Sequence, residues 1–124
     1  MTKLQPVGFF RELPHGSEDG PSLKALVSDR PQDDEEEIVR YLRDGILFVV
    51  CPGVVDDALD PSAGTIGAPH LLTDTSWAWP NDLAYYVQKY HVKLPGEFVA
   101  HMKAHNWRVP DEAEIDLEAL EVDW

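Results

Sequence analysis

Three side chains that could bind a metal recur at helical spacing in the last third of the chain. Glu97, His101 and His105 are four residues apart, so a helix places them on one stripe, where two imidazoles and a carboxylate could hold zinc. The zinc-protease pattern, however, needs Glu directly after the first His, and this chain has Met102 there. His91 would have to reach back from the preceding loop to add a ligand. We therefore expect a solvated or aromatic-packed helix face, with no metal and no cofactor.

A second group of chemical side chains consists of Asp56, Asp57 and Asp60, whose carboxylates could bind a divalent cation. The group lacks the alternating spacing and the central Gly of an EF-hand loop, so solvated charge and helix capping account for it better. No Ser lies in a Gly-x-Ser-x-Gly elbow, and the chain has no Gly-rich phosphate loop. Cys51 fits a small buried hydrophobe at a strand end. We predict no catalytic residues and no enzymatic activity.

The most distinctive property of the sequence is its charge, which is −13 over 124 residues. Such a surface repels DNA, RNA and anionic lipid, and this indicates a basic protein as the partner. Of the 23 acidic residues, 12 lie in two segments, Asp33 to Glu37 and Asp111 to Trp124. If the two segments adjoin in the fold, they form a negative patch that accelerates association with a basic partner. The alternative is a solvated helix start and a polar tail.

The candidate partner-binding surface combines this acidic run with one aromatic side chain. Tyr85 and Tyr86 are adjacent, so a helix cannot turn both inward, and one of them lies at the rim of the core. Exposed Tyr is a common interface anchor. The predicted partner-binding residues are Asp33, Asp34, Glu35, Glu36, Glu37 and Tyr85.

Composition indicates the class of protein and its compartment. A hydrophobic fraction of 44% and an aromatic fraction of 10% are typical of a globular chain, and the length suits a single domain over residues 1–124 with an acidic tail from about 111. One cysteine rules out an internal disulfide and fits a reducing compartment. The start of the sequence has no apolar signal-peptide segment, and no run of about 18 apolar residues occurs. We expect a cytoplasmic protein that does not bind membranes.

The elements that must position these residues follow from periodicity and from start and stop residues. Ser22 is a suitable cap for a short helix. A longer helix is predicted over Asp33–Asp44, with Asp33 as N-cap and Glu36 three residues later, and Gly45 follows as its stop. Further helices are predicted after Pro80 and from Pro95.

Apolar runs and turn residues predict the strands. Gly8–Leu13 favours a short first strand, and Ile46–Cys51 favours a central strand that is apolar on both faces. His70–Thr73 and Ser76–Trp79 indicate a hairpin that turns at Asp74-Thr75, although Thr is a poor residue for a positive φ. In the tail, Ile115 and Leu117 suit an edge strand, whereas Leu117 and Leu120 suit a loose helix. The order of elements predicts an α+β fold, in which a small antiparallel sheet of about three or four strands with a central hairpin is packed by helices on one face.

One long stretch resembles a known sequence pattern. Residues 72–87 read LTDTSWAWPNDLAYYV, and residues 90–98 read YHVKLPGEF. They are similar to the TDG-x-W-x-WP-x-DLAYYV and YHV-x-LP-x-x-F segments of a class of small, uncharacterised bacterial proteins that is common in actinobacteria. Thr75 stands where the pattern has Gly. The resemblance covers roughly residues 38–107.

The proteins that share this pattern resemble the immunity partners encoded beside secreted polymorphic toxins. The resemblance implies a protein that binds and neutralises a cognate toxin domain, and it assigns no catalytic residues. Together with the charge, it favours an acidic immunity protein whose partner is a basic toxin domain. The alternatives are a small-molecule-binding or enzymatic domain of unknown chemistry, and an adaptor subunit of a larger assembly.

Overall fold

The fold is taken from a computed structural model of the chain, which describes residues 2–13, 16, 18–110 and 120–122. The strands are β1 (Thr2–Pro6), β2 (Ile46–Val49), β3 (Val55–Asp56), β4 (Thr65–Gly67), β5 (Leu71–Thr73), β6 (Trp77–Pro80) and β7 (Leu120–Val122). The helices are α1 (Leu23–Leu26), α2 (Glu35–Arg43), α3 (Leu83–Tyr90) and α4 (Gly96–Ala104), with a single 3-10 turn at Pro61–Ala63.

Five strands form the main sheet in the order β2-β5-β6-β1-β7, and β3 pairs with β4 apart from it. The helices pack against the sheet, so the predicted α+β class is confirmed. The central hairpin is antiparallel, and β2 is antiparallel to β5. The sheet as a whole is mixed rather than antiparallel, because β1 runs parallel to both β6 and β7. These parallel pairs join segments that are far apart in sequence, and local patterns do not report such pairings.

The predicted hairpin forms, but its turn is longer than the predicted pair Asp74-Thr75: residues 74–76 separate the strands, and Thr73 pairs with Ala78. Side chains at this turn explain why Thr75 is tolerated. Thr75 has a φ of 81°, which is unusual for a residue with a branched side chain. Its backbone N–H donates to the Thr73 hydroxyl at 2.9 Å. The Asp74 carboxylate accepts from the N–H groups of Ser76 and Trp77 at 2.9 and 2.7 Å. These hydrogen bonds stabilise the turn, so that Thr75 adopts a positive φ that Gly would adopt more easily.

The two helices before β2 differ in how they begin. The predicted cap of α1 is confirmed, since the Ser22 hydroxyl accepts from the Ala25 N–H. The predicted cap of α2 is wrong, because the helix begins at Glu35 and Asp34 occupies the N-cap position. Asp34 has a φ of 60° and makes no side-chain cap hydrogen bond. The residue before the first turn of α2 therefore has a left-handed backbone conformation, which Asp adopts more readily than most residues do.

Two strand predictions need correction. The segment Gly8–Leu13 is a bend and a turn, and its apolar side chains are buried without forming a strand. The predicted central strand Ile46–Cys51 ends at Val49, and it lies at the end of the sheet rather than in the middle. A run of apolar residues predicts a strand, but it does not indicate whether that strand has a neighbouring strand on one side or on both.

Aromatic side chains fill the space between sheet and helices. Trp77 and Trp79 lie two residues apart in β6, a spacing that predicts one shared face toward the core, and both are buried. The ring centroid of Phe98 lies 4.8 Å from that of Trp77 and 5.4 Å from that of Trp79. The Trp79 indole N–H donates to the Leu42 carbonyl at 3.0 Å, which satisfies the one polar atom that this side chain buries. The hydrogen bond ties the hairpin to the last turn of α2.

Only part of the predicted acidic tail falls within the described residues. Residues 120–122 form β7 on the outer side of β1, and residues 111–119 and 123–124 lie outside the described ranges. The two alternatives for Ile115 and Leu117, and the proposed contact between the tail and the acidic run, therefore remain predictions. Among the helices of the described ranges, none has the length and apolar character needed to cross a bilayer.

Gly45 allows α2 and β2 to meet on the aromatic core, and its replacement should destabilise the protein. A Cβ at this position would lie 2.6 Å from Trp79 Cζ2 and 2.9 Å from Leu72 Cβ. Because both neighbours are buried, we expect Gly45→Ala to lower the free energy of unfolding by about 1–3 kcal/mol in urea titrations followed by tryptophan fluorescence.

Gly96→Ala is the matched control for this substitution. Gly96 is the first residue of α4 and has open space where its Cβ would lie. The control should be neutral or stabilising by up to about 1 kcal/mol. Equal destabilisation by both variants would contradict a packing role for Gly45.

Candidate functional site

The predicted acidic run occupies the entry to α2, and its members differ in exposure. Asp33, Asp34 and Glu36 are exposed, whereas Glu35 and Glu37 are partly buried. Among the described residues, no Lys or Arg side chain forms an ion pair with Asp33, Asp34 or Glu36. These three carboxylates are therefore open to solvent, and Arg40 and Arg43 line the same surface groove as Glu36 without forming an ion pair with it. Their position at the helix start is favourable, since the helix dipole is positive there.

Glu35 has a different role from its neighbours in the run. One of its carboxylate oxygens lies 2.9 Å from Nδ1 of His91, the residue that caps the end of α3. Next to it, the Gln32 side-chain amide donates to the Val92 carbonyl at 2.7 Å. These contacts hold the entry of α2 against the exit of α3. Glu35 is therefore a structural member of the run.

Tyr85, the predicted anchor, lies in the first half of α3, while the acidic run contacts the other end of that helix. The Tyr85 side chain is partly buried and Tyr86 is buried, which confirms that one of the two lies at the rim. The Tyr85 hydroxyl donates to Asp57 Oδ2 at 2.8 Å. The structure therefore does not bring Tyr85 beside the acidic run, and its hydroxyl already has a partner.

The Asp57 carboxylate is the centre of a polar cluster that we call the Asp57 clasp. Its Oδ2 accepts from the hydroxyls of Tyr85 and Tyr90, the latter at 2.6 Å, and from Lys89 Nζ at 3.3 Å. Its Oδ1 accepts from the backbone N–H groups of Leu59 and Asp60 at 2.8 and 3.0 Å. Donors from a loop and from α3 thus surround one buried carboxylate.

The clasp moves the pKa values of Asp57, Lys89 and Tyr90 away from neutrality. Burial by itself raises the pKa of Asp57, but hydrogen bonds from Tyr90, Tyr85 and the Leu59 backbone outweigh it and lower the pKa to about 2. The hydrogen bond with Tyr85 and the contact with Asp57 raise the pKa of Lys89. Burial and the Asp57 hydrogen bond raise the pKa of Tyr90 to about 12.

These shifts indicate a structural role for the clasp. A general acid or base works best when its pKa lies near the operating pH, and Asp57, Lys89 and Tyr90 are all held in their ordinary charge states at pH 7. The clasp fastens the loop after β3 to α3. The sequence signal for its helical half was available, because Tyr85 and Lys89 are four residues apart. No local signal links them to Asp57, which is 28 residues before Tyr85.

A second buried carboxylate, Asp74, meets two helices. Besides its bonds within the hairpin turn, its Oδ2 accepts from the Tyr41 hydroxyl of α2 at 2.5 Å and lies 3.2 Å from Nε2 of His101 on α4. Burial, together with this carboxylate, raises the pKa of Tyr41. An Asp–His pair can serve nucleophilic catalysis when a Ser, Thr or Cys hydrogen-bonds to the imidazole. Among the described residues, none does so with His101.

In both candidate metal groups, Glu97/His101/His105 and Asp56/Asp57/Asp60, side chains that could bind a metal contact other protein groups instead. The His101 ring faces Asp74 and the His105 ring, and His105 Nδ1 lies 2.8 Å from the His101 carbonyl. Glu97 is exposed. Within the described ranges, no group of three or more His, Cys, Asp or Glu side chains is arranged to hold a metal ion. The cluster around Asp57 is built on Tyr and Lys donors instead.

Cys51 and His70 come together just beyond the end of β2. The Cys51 thiol is free and partly buried. The His70 Nδ1 atom accepts from the Cys51 backbone N–H at 2.9 Å, so this nitrogen is occupied by the main chain. The contact joins the segment after β2 to the residue that precedes β5.

One cavity of about 460 Å³ lies beside the segment Pro6–Phe10. Phe9, Phe10 and Leu94 contribute apolar surface to it, and Lys93 is the one charged residue among its described lining residues. Small-molecule sites usually combine apolar walls with several convergent polar groups. This cavity supplies the walls but few groups that could orient a ligand.

Comparisons with protein-family models, with curated proteins and with solved structures find no match for this chain. Its function is therefore inferred from its own residues and geometry.

Removing the Asp57 charge should test the clasp through stability and its dependence on pH. The folded-state pKa of about 2 lies below the ordinary value of 3.8, so the ionised clasp adds stability above about pH 4 and loses it as the pH falls toward 2. We expect Asp57→Asn to lower the free energy of unfolding by about 1–3 kcal/mol at pH 7. In urea titrations from pH 7 to pH 3, the difference from wild type should narrow below about pH 4.

The neighbouring Asp56→Asn variant is the control, since Asp56 is exposed and its carboxylate bonds only to the Thr65 hydroxyl among the described residues. It should change stability by less than about 0.5 kcal/mol. A pH-independent effect of Asp57→Asn would contradict the ionised clasp.

Proposed function

We propose that the protein is an immunity-type inhibitor, an acidic domain that binds a basic toxin domain and blocks its active site or its substrate surface. The observation that carries this proposal is the entry of α2. There Asp33, Asp34 and Glu36 are exposed, and none of them forms an ion pair with a described Lys or Arg. Such carboxylates are available to the cationic side chains of a partner.

The charge of the whole chain supports the same proposal. At −13, the protein has a long-range field that raises the rate of encounter with a basic partner, and the exposed acids orient the encounter. The same field repels nucleic acid and anionic lipid. A basic toxin domain, for example one that acts on a polyanionic substrate, is the class of partner that this field favours.

The fate of the buried polar groups favours binding over catalysis. The Asp57 and Asp74 carboxylates are each surrounded by donors from the protein itself. The shifted pKa values of Asp57, Lys89 and Tyr90 hold these three side chains in charge states that do not change near pH 7. The functional surface of this proposal is therefore made of exposed charge, and we place its action in the cytoplasm, where a lone thiol such as Cys51 stays reduced.

Removing the three exposed charges should slow association with the partner. The partner is first captured at low salt from lysate of the host cell on the immobilised protein and identified by mass spectrometry, and its toxin domain is then purified. We expect the triple variant Asp33→Asn, Asp34→Asn, Glu36→Gln to associate roughly tenfold more slowly than wild type at low salt, because it loses electrostatic steering. For wild type, surface plasmon resonance should show an association rate that falls steeply with added NaCl.

A second triple variant with the same net charge provides the control. Glu18→Gln, Asp19→Asn and Glu97→Gln remove three other exposed acids. This variant should associate within about threefold of wild type, since only the general field is reduced. Equal slowing by both variants would assign the effect to net charge rather than to the entry of α2. An association rate that does not respond to salt would refute the electrostatic proposal.

A further inference from the structure

The apolar cavity beside Pro6–Phe10 lies between three segments that are far apart in sequence. Residues 6–10 form one wall, residues 20, 21 and 26 contribute to the second, and residues 93–95, between α3 and α4, form the third. Phe9, Phe10 and Leu94 line the cavity and are only 5%, 2% and 9% exposed. The cavity therefore reaches side chains of the apolar core.

Hydrogen bonds of the folded chain hold the three walls together. The Arg11 N–H donates to the Pro21 carbonyl at 3.1 Å, which connects the first wall to the second. The Lys93 N–H donates to the Leu26 carbonyl at 3.0 Å, which connects the second wall to the third. The Glu12 carboxylate accepts from two N–H groups at the start of α1, at 2.8 and 2.9 Å. The cavity is thus formed by the fold itself, and a ligand does not have to open it.

The volume and the walls of the cavity indicate the size and the character of a ligand. A cavity of about 150 Å³ lined by Leu, Ile and Phe binds benzene. The present cavity measures about 460 Å³, so it accommodates an apolar group of roughly 10–18 carbon atoms. Water is a poor occupant, because each water molecule needs two to four polar partners and three of the lining residues, Pro6, Pro21 and Pro95, have no backbone N–H.

The charge at the cavity indicates the polar group of the ligand. Acidic residues outnumber basic ones by 23 to 10 in the chain, yet Lys93 is the one charged residue in the described lining. Lys93 is exposed, and it forms no ion pair with any acid in the described part of the chain. The flexible stem of a Lys side chain allows its ammonium to reach the opening of the cavity. An anionic group on the ligand is therefore favoured there, and a cationic group is repelled.

We propose that this cavity binds an apolar carboxylate, a fatty or aromatic acid of roughly 10–18 carbon atoms. Its apolar part packs on Phe9, Phe10 and Leu94, and its carboxylate lies beside the Lys93 ammonium. A single cation suffices to orient such a ligand, because the carboxylate is its only polar group. No residue of the acidic run belongs to the described lining, so the proposal is independent of the proposed function.

The experiment titrates the full ¹⁵N-labelled chain with three ten-carbon probes, decanoate, 1-decanol and decylammonium, each below the concentration at which it forms micelles. The probes share one apolar chain and differ in the charge of the head group. We expect decanoate to shift the amide signals of residues 7–10, 20–26 and 93–94 in a saturable way. Decylammonium should bind more weakly than decanoate, because its head group meets Lys93 as a like charge.

Matched variants separate the contribution of Lys93 from that of net charge. Lys93→Gln should weaken decanoate binding by about three- to fivefold, as expected for one exposed ion pair, and should leave 1-decanol binding unchanged. Lys103→Gln removes the same charge from an exposed position on α4 outside the described lining, and it should bind all three probes as wild type does. Neither Lys side chain makes a hydrogen bond or ion pair with another described residue, so both variants should fold.

Four results would overturn this proposal. Tighter binding of decylammonium than of decanoate by wild type would show that the net charge of the chain, and not Lys93, selects the head group. An equal effect of Lys93→Gln and Lys103→Gln on decanoate would remove Lys93 from the site. Shifts confined to residues 46–50 would place the apolar chain on the exposed side chains of β2. The absence of a saturable shift with any probe would show that the cavity does not take a ten-carbon chain.

Discussion

The buried carboxylate of Asp74 is the constraint on which the arrangement of the helices depends. A buried charge without partners costs several kcal/mol, so this side chain can be accommodated only where enough donors converge on it. Two come from the hairpin turn itself and one comes from Tyr41 on α2, and Nε2 of His101 on α4 lies 3.2 Å from the same carboxylate. The turn, α2 and α4 must therefore meet at one point. Trp79 and Phe98 fill the apolar space between them.

Once this point is fixed, the surface features follow from it. Tyr41 sets the position of α2 against the hairpin, and Glu35 and His91 set its entry against the end of α3. With Glu35 turned toward His91, its neighbours Asp33, Asp34 and Glu36 face solvent. At the other end of α2, the close approach of Gly45 to Trp79 brings β2 directly onto the sheet. The buried carboxylates of Asp57 and Asp74 thus use their hydrogen bonds to hold the fold together. The surface presents charged side chains and the end strand β2.

Local sequence patterns predicted the elements well where the determinants are local. The Ser22 cap, the presence of the hairpin and the shared face of its two tryptophans all depend on residues within a few positions of one another. The predicted turn at Asp74-Thr75 is one residue too short, because the pairing of Thr73 with Ala78 sets the register. The predicted N-cap of α2 is one residue too early, because Asp33 and Asp34 are equally good caps by residue type and only the backbone conformation distinguishes them. The α+β class followed from the order of these elements, since it needs no knowledge of pairing.

What could not be predicted depends on contacts between distant segments. The parallel pairs of β1 join residues 2–6 to β6 and to β7, and no residue pattern in any of these strands indicates which strand it pairs with. The position of β2 at the sheet end is set by which strands pair elsewhere, so its apolar run was misread as a central strand. The Asp57 clasp is similar, because its carboxylate and its donors on α3 lie on opposite sides of the hairpin in sequence. The acidic run is evident in the sequence, but the contact between Glu35 and His91, which are 56 residues apart, is not.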